Sequence, residues 1–407
     1  MRLNNLSLLT ALTFSVIVFD VSAQPQISGA DTTNSLNGVL VIKGTGFGSG
    51  PAIKAFDDFE APAVGLQGTN IPLNSAKAGK WLQFKTTETP LYDNRSHSGK
   101  YSARIFVPKV TGQPRERVFL VELGAGTKEV YMSYWVQIPP GTPPPSKNTL
   151  ETSETFPDSS AWKFSWLFDG VSTGSDANNI CFPTWVGHGA SEFSTMGLYL
   201  SGNNKNITSR AVKDPRENAP LFANWEGYWW DWQKFMRLSV WIKADPNEPN
   251  SWSNSFAEIQ ILTQKPGVKA LWTEKKVNYQ FFIKDNFDSL GNPLPTPPAE
   301  FTHLLIPGWL APESSNNTQP LYDDVYIAAG DNAVARVEIG DDQDYYKSKM
   351  LAVQIPTSWT DSEIAIDLRN GGHKVVDGKY LFVFDSQGLV NPVGYQIKIK
   401  PGAPPIP

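Results

Sequence analysis

The chain reads as an all-β protein, and three observations predict it. Apolar residues recur in short alternating or continuous runs, and helical spacing is nearly absent. Those runs are split by Gly, Pro, Asn and Asp, with 32 Gly and 32 Pro supplying most of the breaks. Aromatic residues are abundant, with 14 Trp, 13 Tyr and 22 Phe, as expected where large sheets pack on one another. Together these features describe a β-sandwich or jelly roll.

The first element is an export signal. Arg2 precedes an apolar stretch from Leu6 to Phe19 relieved only by Ser and Thr, and Val21-Ser22-Ala23 supplies small residues for cleavage after Ala23. The apolar stretch is short for a membrane span and Asp20 ends it. No later stretch has the length and apolarity to span, so the expectation is a secreted or periplasmic chain without membrane insertion. The single cysteine, Cys181, permits no intrachain disulfide. It reads as a buried small apolar residue, with a catalytic thiol as the alternative. The net charge of −5 and the absence of a basic stripe exclude nucleic acid as a partner.

Predicted strands follow at residues 39–43, 103–107, 118–123, 130–138, 162–168, 196–200, 235–243, 256–262, 277–283, 324–328, 363–368 and 380–384. Residues 139–160 and 285–300 are rich in Pro and small polar residues and read as long loops.

Two resemblances organise these strands. Ile27-Ser-Gly-Ala30 followed by Gly38-Val-Leu-Val-Ile-Lys-Gly-Thr-Gly-Phe-Gly48 resembles the opening of the immunoglobulin-like TIG (IPT) domain. The remainder of such a domain is matched only near the other end. It is carried by Ala335-Arg-Val-Glu-Ile-Gly340, Ser358-Trp-Thr-Asp-Ser-Glu-Ile-Ala-Ile366, Lys379-Tyr-Leu-Phe-Val-Phe-Asp385 and Gly394-Tyr-Gln-Ile-Lys-Ile399. The resemblance implies a split Ig-like domain with a larger domain inserted. The boundaries are a signal peptide over 1–23, Ig-like parts over 24–55 and 331–400, an insert over 56–330 and a tail over 401–407. The insert resembles concanavalin-A-like jelly rolls of the polysaccharide-lyase and laminin-G type. Four motifs carry this: Phe56-Asp-Asp-Phe-Glu60, Ser98-Gly-Lys-Tyr-Ser-Ala-Arg-Ile105, Val130-Tyr-Met-Ser-Tyr-Trp-Val136 and Leu321-Tyr-Asp-Asp-Val-Tyr-Ile327. They speak for fold, and fold alone does not assign function.

Alternation divides the insert's strands into faces. Over 130–138, Met132, Tyr134, Val136 and Ile138 oppose Tyr131, Ser133, Trp135 and Gln137. Over 235–243, Met236, Leu238, Val240 and Ile242 oppose Arg237, Ser239, Trp241 and Lys243. Over 161–169, Trp162, Phe164, Trp166 and Phe168 oppose Lys163, Ser165 and Asp169. A half-buried strand turns its apolar face inward, which leaves an open face of Trp135, Gln137, Lys163, Trp241 and Lys243 as candidate substrate contacts. The resemblance implies that a polymer lies on such a face.

Arg and Lys can pair with uronate carboxylates or sulfates, which points to an acidic polysaccharide. For β-elimination, Arg237, Lys163 or Gln137 would neutralise the carboxylate, and Tyr131, Tyr199 or His188 would take the proton. An ordinary solvated strand face, or an ordinary loop histidine at position 188, is the alternative for each. The glucanase Glu-x-Asp-x-x-Glu motif, Gly-x-Ser-x-Gly, phosphate loops and paired zinc-spaced histidines are absent. Trp225-Glu-Gly-Tyr-Trp-Trp-Asp-Trp232 reads as a ligand-stacking lip or a core plug. Asp57, Asp58, Glu60, Asp323 and Asp324 are hard oxygen donors that suit a structural calcium if the first and last insert strands pair; a solvated acidic edge is the alternative. Two functions remain open: a secreted polysaccharide lyase, or a non-catalytic glycan-binding or adhesion module.

Overall fold

The computed structural model describes residues 24–31, 38–60, 66–82, 89–105, 119–137, 161–169, 179–187, 193–201, 234–247, 255–277, 281–282, 286–287, 293–294, 298–307, 309–310 and 319–399. The expected export signal, the expected loop over 139–160, His188 and the 225–232 aromatic run lie outside them. Among the described residues the regular structure is β apart from one 3-10 turn at Tyr345–Lys347, and no helix is long and apolar enough to cross a membrane.

The protein is an all-β jelly-roll sandwich. Its middle sheet runs Leu271–Val277, Phe256–Leu262, Met236–Lys243, Glu129–Gln137, Leu321–Ala329, Ile53–Asp57, Ala78–Gly79. The outer sheet runs Trp309–Leu310, Ala161–Lys163, Asn179–Gly187, Trp166–Asp169, Phe301–Ile306, Phe119–Glu122, with Phe193–Ser201 paired to Asn179–Gly187. The alternation in the sequence explains the core between them. Met132, Tyr134, Val136, Leu238, Val240 and Ile242 point from the middle sheet onto Val121, Phe164, Leu167 and Leu304.

A third, end sheet draws on both chain termini. Its order is Gln26–Asp31, Val39–Thr45, Glu363–Asp367, Leu351–Trp359, Arg336–Gly340, Tyr380–Phe384, Tyr395–Gln396. Val39–Thr45 pairs residue by residue with Glu363–Asp367. The following Gly46 and Gly48 adopt φ of 72° and 63°, where a side chain is strained, and this turn seats Phe47 in the sheet's own core. Val337 and Ile339 face that core, while Arg336 and Glu338 alternate to the other side.

Two predicted strands differ. Residues 162–168 form two short strands, broken at Phe164 and Ser165, and the break reverses the parity. Phe164 and Leu167 enter the main core, whereas Trp166 and Phe168 belong to a small cluster on the other side with Leu120 and Leu305. The strand expected at 277–283 lies earlier, at Leu271–Val277, paired along its length with Phe256–Leu262. It is an edge strand, so its Thr-Glu-Lys-Lys stretch needs no second apolar partner.

Candidate functional site

The middle sheet has the register that alternation predicts, with Arg237 opposite Trp135 and Trp241 opposite Tyr131. The expectation that this face is open is overturned. Tyr131, Trp135 and Arg237 are each 2% exposed and Trp241 is 6% exposed. The end sheet lies over them: Val353 and Ile355 pack with Tyr131 and Trp241, and Leu351, Phe382 and Phe384 pack with Trp135. Lys243 is only partly covered and pairs with Glu129 at 2.9 Å. Gln137, the last residue of its strand, is half-buried beside Leu321.

The charge on this face is consumed internally. Arg237 donates to Glu338 of the end sheet through both terminal nitrogens, at 2.6 and 2.9 Å, and through Nε to Ser133 and Ser239. Arg336 donates to the same carboxylate at 2.5 Å. Burial opposes the charge on Glu338, but the two guanidinium groups bring its pKa down to about 2. Burial likewise opposes the Arg237 charge and Glu338 more than restores it. An arginine so paired and so buried is out of reach of a substrate carboxylate.

The five expected calcium ligands are close in the fold without enclosing one point. Among the described residues, the potential ligand atoms that lie within 4.8 Å of one another belong to His97, Asp323 and Asp324. Asp323 accepts the backbone N–H groups of His97, Ser98 and Asp324 at 2.7–3.0 Å. Asp324 sits at a bulge with φ 49° and accepts from Ser98 Oγ and Arg369, with His97 Nδ1 at 3.2 Å. Burial raises Asp323, helped by the neighbouring charge. Burial also works against Asp324, yet Arg369 and His97 hold it well below the carboxylate range. Asp58 pairs with Lys77 at 2.6 Å and lies 3.7 Å from Arg369. Asp57 turns inward to Ser75, to Trp81 Nε1 at 2.8 Å and to the Phe59 N–H. Calcium needs six to eight open oxygen ligands. Here the Asp57, Asp323 and Asp324 oxygens accept N–H and O–H donors and Arg369 supplies a cation beside Asp324 and Asp58, while Glu60 keeps one oxygen open.

Beside this cluster a cavity of about 540 Å³ opens between the middle and end sheets, within the usual size for a ligand site. Asp58, Glu60 and Lys77 line one wall, and Arg369 and Asn370 line the other. The sequence marks Asp58 and Glu60 but gives no sign of Arg369 or Asn370, which follow the Glu363–Asp367 strand and reach the cavity only through the shared end sheet.

The remaining candidates belong to the outer sheet. Lys163 lies on Ala161–Lys163, its backbone opposite Thr184 and Trp309. Tyr199 lies opposite Cys181, which lies opposite Trp166. The side chains of Lys163, Cys181 and Tyr199 are outside the described residues, as is all of His188. On the side away from the core, Trp166 and His303 are half-buried and Glu122, opposite His303, is exposed. Burial lowers the His303 pKa against the pull of Glu122.

No protein-family model and no curated protein matches the chain. Among solved structures it is similar to the cellulose-induced protein Cip1, at 13% identity and a TM-score of 0.32, over 67% of this chain and 96% of that one. It is similar to a glycosyl hydrolase family 16 protein from Mycobacterium smegmatis, at 13% identity and 0.31, over 69% and 100%. A structure of botulinum neurotoxin type C, described by its interaction with two ganglioside molecules, matches at 9% and 0.30, over 87% and 72%. Likeness at this level does not bear on activity.

Proposed function

We propose that the chain is an exported glycan-binding protein. In this reading its jelly roll holds a polysaccharide on the outward side of the outer sheet, and both chain ends form a split Ig-like domain fixed to the opposite side. The observation that carries it is the double coverage of the middle sheet. Over Glu129–Gln137 and Met236–Lys243, apolar core covers one face and the end sheet covers the other. Among the described residues, the outward side of the outer sheet offers the half-buried Trp166 ring for stacking and His303 and Glu122 for polar contacts, beside the buried Phe168 and Leu305. Export rests on the pattern of residues 1–23.

Cleavage by β-elimination keeps one supporting observation. His303, lowered in pKa by burial, is a neutral imidazole near neutrality, and a proton acceptor needs that form. The neutraliser first expected, Arg237, is sealed in the interface. Incubation with a panel of neutral and acidic polysaccharides, read by retention of the protein and by ultraviolet absorbance of unsaturated uronates, separates the readings. Retention on one or more polymers with flat absorbance is the expected result. Rising absorbance replaces binding with lyase activity, and no retention on any polymer contradicts the proposal.

A further inference from the structure

We propose that the cleft between the middle and end sheets is a second saccharide site, built for the hydroxyl groups of a neutral mono- or disaccharide. The inference deepens the glycan-binding reading and rests on it, but it concerns a different place from the outer sheet.

The polar groups of the cleft hold unspent hydrogen-bonding capacity of both signs. Lys77 gives one bond to Asp58, and its side chain is 53% exposed, which leaves further ammonium protons for a ligand. Glu60 accepts the N–H groups of Lys100 and Tyr101 through Oε1 alone, at 2.5 and 2.6 Å, so Oε2 retains its lone pairs. Gly99, at φ 59°, lets that backbone close onto Glu60, where a Cβ would meet the carboxyl at 2.5 Å. The half-buried Asn370 amide lines the cleft and has no bond among the described residues, leaving a donor and an acceptor in one planar group. Adjacent sugar hydroxyls each donate and accept, and an ammonium, a carboxylate oxygen and an amide meet that demand together. Ile355 supplies a small apolar edge beside them, while the Phe56 ring lies under the Arg369 guanidinium at 4.5 Å.

Charge decides the class. Three carboxylates line the cleft, Asp58, Glu60 and Asp367, against two cations, Lys77 and Arg369. Both cations are already engaged, Lys77 by Asp58 and Arg369 by Asp324. A uronate or sulfate would meet net negative charge and cations that are each already paired with a carboxylate, whereas neutral hydroxyls meet open partners. The Arg369–Asp324 pair also ties the two walls, so the site is organised before a ligand arrives.

The test is calorimetric titration of the intact chain with cellobiose, lactose, maltose and digalacturonate, alongside polymer retention. The variants are Asn370→Ala and Glu60→Gln; the second keeps an oxygen for the Lys100 and Tyr101 N–H groups and replaces the open one by a donor. At least one neutral disaccharide should bind, each variant should weaken it about tenfold or more, and thermal melting should stay in place. Retention of the polymer without disaccharide binding, or disaccharide affinities untouched by both variants, overturns the cleft and leaves the glycan-binding reading standing. Tighter binding of digalacturonate than of every neutral sugar overturns the neutral class. Loss of both polymer and disaccharide binding in the wild type overturns the glycan-binding reading itself.

Discussion

The Glu129–Gln137 and Met236–Lys243 strands present their two faces to different neighbours. Toward the outer sheet they offer Met132, Tyr134, Val136, Leu238, Val240 and Ile242, an apolar core without charge. Toward the end sheet they offer Tyr131, Trp135, Arg237, Ser239 and Trp241, which are equally buried. The second interface uses rings and a carboxylate clamped between two arginines. His97 stacks on Trp135 at 3.5 Å, and Arg336 lies over the Tyr131 and Phe384 rings at 4.4 and 3.5 Å. Aromatic residues and arginine are also what a protein surface offers to a partner. A strand face of this composition can therefore receive a second layer of its own chain as readily as a glycan.

The largest expected effect comes from breaking the charged interface on one side only. Glu338→Ala leaves Arg237 and Arg336 buried without their counter-ion and should destabilise the protein by about 3–5 kcal/mol in chemical unfolding, as loss of one partner of a buried pair does. A change under about 1 kcal/mol would mean that the end sheet does not seal the arginines.

Next in size is a pH effect at the far end of the Ile53–Asp57 strand. Burial raises Asp57 from 3.8 to about 6, against hydrogen bonds from Ser75, Trp81 and Phe59. An acid raised in the folded state holds its proton longer there than in the unfolded chain. Its contribution to stability therefore falls as pH rises through that window, by up to about 3 kcal/mol, and is level above it. Glu338 has the opposite sign: with its pKa lowered from 4.5 to about 2, its contribution is full above the unfolded value and is lost as pH falls toward the folded one. Unfolding free energies measured across about pH 4–7 (a window that brackets the Asp57 range) should fall less with rising pH in Asp57→Asn than in the wild type. An unchanged slope would remove Asp57 as the titrating group.

The smallest expected effect is none. With Arg369 serving the Asp324 and Asp58 charges, neither chelator nor added calcium should move the melting temperature. A rise with calcium that chelator reverses would show an ion bound preferentially by the folded state.

Much of the fold is legible in local pattern. Phe256–Leu262 and Tyr380–Phe384 occupy the predicted residues, and the faces of Met236–Lys243 follow from alternation alone. The parity error at Phe164 and Ser165 arises because a two-residue break is invisible to a period-two rule. Alternation separates the two faces of a strand but does not say what covers the polar one. That depends on Glu338, about a hundred residues from Arg237 in sequence (the pair is separated by 101). Arg336 and Glu338 alternating with Val337 and Ile339 mark a two-faced strand, and only the sheet order reveals that its charged side meets Arg237. The cleft was half legible: Asp58 and Glu60 stand out beside Phe56 and Phe59, whereas Arg369 and Asn370 have no motif around them.

Which aromatic face would meet a glycan is tested by one paired measurement: binding of a retained polysaccharide and thermal melting for Trp241→Ala and Trp166→Ala. Trp241 is buried between two sheets and donates to Glu129 at 3.0 Å, so its removal should lower the melting temperature and leave the affinity of the folded protein unchanged. Trp166→Ala should weaken binding while shifting the melt less. Weakened binding with an unshifted melt for Trp241→Ala, together with unaltered binding for Trp166→Ala, would contradict the account and return the ligand to the middle sheet.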